Sequence, residues 1–128
     1  MRIEHVALYC KDLDGMRKFF VDYFNAQSND MYHNPHTGLR TYILSFDGDG
    51  ARLELMTRPG TLDADPAVPS VGYAHVSFAV GSREGVDKLT ARLAADGYAV
   101  ASGPRITGDG YYESCILGSE NIMIEITE

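Results

Sequence analysis

Glu4-His5-Val6-Ala7-Leu8 stands near the start of the chain, and Ala74-His75-Val76-Ser77-Phe78 stands 70 residues later, counting from His5 to His75. Each run alternates in the manner of a half-buried strand, with β-branched and apolar residues on one parity and the histidine on the other. A second pair of runs repeats in step. Arg52-Leu53-Glu54-Leu55-Met56 is answered by Ile124-Glu125-Ile126-Thr127, an offset of 125 − 54 = 71. Four strand-like runs therefore place one histidine and one glutamate in each of two copies. A charge on a strand is unusual, and two imidazoles with two carboxylates are a common shell for a divalent ion.

The repetition extends through the intervening sequence, and an internal repeat constrains the fold more than any single element. In the first copy strands are expected at 2–9, 39–46 and 51–57, with a helix at 13–25. In the second, strands are expected at 73–80, 111–117 and 122–127, with a helix at 83–96. Short additional strands are expected near 25–31 and 98–101. Leu13, Met16, Phe20 and Tyr23 fall at helical spacing, widened by Phe19 and Phe24, and Asp12 is placed to cap them. Val86, Leu89 and Leu93 make the second stripe, and Gly97 follows its last turn. The expected fold class is α+β: two tandem βαβββ modules, residues 1–57 and 73–128, joined by the linker 58–72 that holds Pro59, Pro66 and Pro69.

Strand parity divides the residues. Ile122, Ile124 and Ile126 share one face, and Met123, Glu125 and Thr127 the other. Val76, Phe78 and Val80 oppose His75 and Ser77; Val6 and Leu8 oppose His5; Leu53 and Leu55 oppose Glu54. The apolar face suits a helix, and the four polar residues are left on the other.

The 128 residues suffice for a real core, and a net charge of −7 argues against nucleic acid as a partner. No apolar stretch approaches the ~20 residues that span a bilayer. The first residues read as a strand and not as a signal peptide, so a cytoplasmic location is expected. Two cysteines, Cys10 and Cys115, do not make a disulfide framework. Cys115 reads as a core residue. His33 and His36, beside Asn34 and Pro35, read as part of a solvated turn. Gly108-Asp109-Gly110 could cradle an anion or simply turn the chain, and Glu113 could line a cavity or face water.

With His5, Glu54, His75 and Glu125 in this order, the duplicated module resembles the vicinal oxygen chelate superfamily over nearly its whole length. That superfamily includes glyoxalase I, methylmalonyl-CoA epimerase, extradiol dioxygenases, fosfomycin-resistance enzymes and bleomycin-binding proteins. The resemblance implies curved mixed sheets around a metal-containing cavity and one divalent ion (nickel, cobalt, zinc or manganese) per site. The ligand order is similar to that of bacterial glyoxalase I. It implies a lyase or isomerase that takes a carbon-bound proton from a small substrate chelated through vicinal oxygens. Glu125 is then the first choice of base and Glu54 the second. It also implies a homodimer with shared active sites. Two positions depart from glyoxalase I: Tyr9 stands where that enzyme has a glutathione-contacting arginine, and Arg58 where it has an asparagine, so the thiol-conjugate pocket does not carry over. The alternative is a small-molecule binding or resistance protein of the same fold, or a dioxygenase-like or fosfomycin-resistance-like member.

Overall fold

The computed structural model describes residues 1–48, 50–63, 65 and 71–128. The alternating run at the start forms β1 (His5–Tyr9). Asp12 then accepts a hydrogen bond from the Gly15 N–H at 2.9 Å and starts α1 (Leu13–Phe24). Asn25 takes a left-handed conformation, φ 53°, and so ends the helix one residue earlier than its periodicity suggests. Next come β2 (Gln27–Ser28), β3 (Tyr32–His33), β4 (Arg40–Ser45) and β5 (Arg52–Thr57). They form a mixed sheet in the order β1-β5-β4-β2, with β3 also on β4. His33 therefore belongs to a strand, paired with Arg40, rather than to the turn. His36 does sit in a turn, its N–H bound to the Asn34 side chain at 3.0 Å.

The second copy follows the same plan. After β6 (Val76–Ala79), Ser82 caps α2 (Arg83–Ala95) through the Gly85 N–H at 3.1 Å. Then come β7 (Ala99–Ile106), β8 (Tyr112–Leu117), a 3-10 turn at Ser119–Asn121 and β9 (Met123–Thr127), in the order β6-β9-β8-β7. The strand expected near 98–101 is twice as long as its pattern suggested. In both sheets the first strand lies parallel to the last, and the other neighbours are antiparallel.

The chain divides into two compact units, residues 1–64 and 65–128. Of the stretch 58–72, residues 64 and 66–70, with Pro66 and Pro69, lie outside the described residues. Each unit has its own core between helix and sheet. Met16, Phe20, Leu44 and Leu55 are fully buried in the first, and Val86, Leu93, Ile116, Ile124 and Ile126 in the second. Each such side chain contributes about 1.5–3 kcal/mol by leaving water. A tyrosine hydroxyl ties helix to sheet in each unit: Tyr42 donates to Asp14 at 2.8 Å, and Tyr112 to Asp87 at 2.7 Å. With the apolar parity spent on the helix, the other parity of each sheet is left for chemistry.

Candidate metal centre

His5 and Glu54 lie on that far face of the first sheet, because Glu54 pairs in register with Ala7 and His5 is two residues before Ala7. The His5 Nε2 atom stands 3.6 Å from Glu54 Oε2. The second sheet repeats the arrangement. Glu125 pairs with Ser77, two residues after His75, and His75 Nε2 stands 3.5 Å from Glu125 Oε2. The side chains are similarly covered, with His5 and His75 43% and 40% exposed and Glu54 and Glu125 21% and 20%. The structure thus brings together His5 with Glu54 and His75 with Glu125, each pair within its own unit. Among the described residues no group of three such donors converges.

The donor set suits a divalent ion. Two ligands at about 2.1 Å from one ion stand ~3–3.5 Å apart, and both pairs are near that spacing, longer than an ordinary hydrogen bond. Supporting groups hold each pair in opposite ways. In the first unit the Glu4 carboxylate contacts His5 Nδ1, and Arg52 in turn holds Glu4. A carboxylate on Nδ1 orients the ring and directs Nε2 outward, as is usual for metal-binding histidines. In the second unit the support falls on the acid: the Ser77 hydroxyl donates to Glu125 Oε1 at 2.7 Å and leaves Oε2 toward His75. The counterpart of Glu4 is Ala74, and that of Ser77 is Ala7. Sequence reading overlooked both supports. The only signal for them was a polar residue beside a candidate ligand or at its paired strand position.

Cys115 is not the core residue expected. It pairs in register with Glu125 and shares its face, while Ser114, beside it, is the buried one and bonds to Thr90. Partial burial raises the Cys115 thiol above its ordinary value, and Glu125 and Glu113 push the same way, so it is a poor nucleophile. Glu113 also lies on this face, near Arg105. In the Gly108-Asp109-Gly110 turn the Asp109 carboxylate is satisfied locally, by Thr107 at 2.5 Å. The two residues that depart from glyoxalase I touch each other, the Arg58 guanidinium lying 5.3 Å from the centre of the Tyr9 ring.

Residues 2–126 match the Glyoxalase/Bleomycin resistance protein/Dioxygenase superfamily. The chain belongs to that superfamily. Uncharacterized protein YqjT of Bacillus subtilis (strain 168) is 26% identical over 128 residues, which span 97% of this chain and 96% of that one. A glyoxalase family protein from Bacillus cereus shares the fold with a TM-score of 0.85 at 20% identity, covering 100% of this chain and 93% of that chain. Lactoylglutathione lyase from Agrobacterium tumefaciens gives a TM-score of 0.69 at 23% identity, covering 98% of this chain and 92% of that chain. These superfamily structures agree with the mixed α+β architecture described above.

Proposed function

We propose that this superfamily member is a metal-dependent lyase or isomerase of glyoxalase type, with His5, Glu54, His75 and Glu125 as ligands of one divalent ion. The observation that carries the reading is the duplicated His–Glu pair, at 3.6 and 3.5 Å, with a supporting contact behind one member of each. When bound, the ion supplies Lewis acidity to a pair of vicinal substrate oxygens. The chain's own residues do the rest. Glu4 fixes the His5 ring, Ser77 holds Oε1 of Glu125, and the Glu125 carboxylate takes the carbon-bound proton. Glu54, with alanine opposite it, is the second candidate for that step. The cation–π contact of Arg58 and Tyr9 occupies two positions that glyoxalase I gives to its thiol conjugate, so activity on methylglyoxal with glutathione is expected to be weak or absent. We propose further that two chains assemble as a homodimer with shared active sites.

The test uses protein purified without a metal-chelating tag. Elemental analysis should find one divalent ion per chain, and His75→Ala should lose it. Glu125→Gln should keep the metal but lose deuterium exchange at the α-carbon of hydroxyacetone by about 10²–10⁴-fold. Wild-type protein that neither carries nor takes up a divalent ion would defeat this reading in favour of a sequestering protein.

A further inference from the structure

β7 and β8 pair Ser102 with Cys115 and Arg105 with Glu113, with a shift of register between. From one pair to the next β8 moves 115 − 113 = 2 residues, while β7 moves 105 − 102 = 3. The extra residue is a β-bulge. Residues three apart on a regular strand point to opposite faces, and the bulge puts Ser102 and Arg105 on the same one. That face is the one bearing Glu125, because Cys115 pairs with Glu125 on its other side. Gly103 makes the bulge possible. Its φ is +80°, and a Cβ there would lie 2.5 Å from the Glu113 carbonyl oxygen.

The Arg105 side chain is held at its root and open at its tip. Nε donates to Ser102 Oγ at 2.9 Å, while Nη2 stands 3.8 Å from Glu113 Oε1, beyond hydrogen-bond length. The Arg105 side chain is half exposed. Its terminal N–H groups retain the paired donors that suit a carboxylate. On a chain of net charge −7 an anionic ligand needs a dedicated cation. Arg105 lies two strands across and two residues along from Glu125, about 12 Å between backbones, on the same face of the sheet.

We propose that Arg105 is a specificity residue that binds a carboxylate carried by the substrate a few bonds from its chelating oxygens. The proposal rests on the reading of His75 and Glu125 as metal ligands, and its test separates the two. Catechol, 3,4-dihydroxybenzoate and 3,4-dihydroxyphenyl phosphate all offer the same pair of vicinal oxygens; the first has no anionic group, the second a carboxylate, the third a phosphate. Titration calorimetry on the metal-loaded protein should show dihydroxybenzoate binding about tenfold or more tighter than catechol, and tighter than the phosphate. Arg105→Gln should abolish that preference with catechol affinity unchanged, and Arg105→Lys should retain part of it. Equal affinity for catechol and dihydroxybenzoate in the wild type, or a preference that survives Arg105→Gln, overturns the role of Arg105 alone. Preference for the phosphate overturns the carboxylate assignment. Failure of catechol itself to bind the metal-loaded protein overturns the reading of the site as a chelator of vicinal oxygens, and this proposal with it.

Discussion

Ser77→Ala should weaken metal binding, and Ala7→Ser should strengthen it. The Ser77 hydroxyl donates to the Glu125 carboxylate at 2.7 Å, the length of a charge-assisted bond. Such bonds are worth roughly 1.5–3 kcal/mol net. Glu125 is four-fifths covered, so the bond is not fully screened, but Ser77 is itself exposed, which favours the lower end. About 1.5 kcal/mol corresponds to about a tenfold rise in Kd, at the lower edge of the effect of removing a group that orients a ligand. Ala7 pairs with Glu54 as Ser77 pairs with Glu125, so a hydroxyl introduced there has the same reach. Competition titrations of nickel or cobalt against a chromophoric chelator measure both variants, with thermal unfolding of the metal-free proteins as a control on folding. Unchanged affinity in Ser77→Ala would refute the claim that the hydroxyl preorganises Glu125.

Two further outcomes follow from assembly and from titration. If sites are shared between chains, mixing inactive His5→Ala chains with inactive Glu125→Gln chains puts both lesions in one site of each heterodimer. About a quarter of all sites should then recover, whereas sites built within one chain should show no recovery in the same exchange assay. The hydrogen bond to Asp14 raises the Tyr42 hydroxyl above its ordinary value of 10.0, and burial adds to the effect. A raised folded-state value means that its stabilising contribution is complete below pH 10.0 and is lost as pH climbs through the raised value. Tyr42→Phe should therefore cost about 1 kcal/mol at neutral pH and flatten the alkaline decline; denaturant melts of both proteins from pH 7 upward would reveal a decline of equal slope if the bond is immaterial.

The duplication was legible because its period is written in residues that strands and helices both require: alternating Val, Ile and Leu, and the Leu13–Met16–Phe20 stripe. The faces carrying His5, Glu54, His75 and Glu125 followed from parity alone. Parity failed at Gly103-Pro104, where residues that normally end a strand lie within one. The eight-residue β7 was therefore read as short, and Arg105 could not be given a face. His33 was misread because Asn34-Pro35 announces a turn immediately after a strand only two residues long. Cys115 reads as core because thiols are usually buried, but the buried neighbour is Ser114, whose small hydroxyl is met by Thr90 from the helix. The supports from Glu4 and Ser77 depend on rotamers and cross-strand register, which no one-dimensional pattern contains.

Pairing the first strand of each unit with its last has a consequence for how the protein matures. The donors of a pair are separated by 54 − 5 = 49 and 125 − 75 = 50 residues, and they become neighbours through the parallel ladders β1–β5 and β6–β9. Closing such spans is among the slower and entropically dearer steps available to a small domain. A nascent chain therefore has no half-formed donor pair to offer an ion until the final strand of that unit has been added and docked. An ion gripped by both donors would then act as a fastener across the two ends of the unit, resisting the opening of the ladder that joins them.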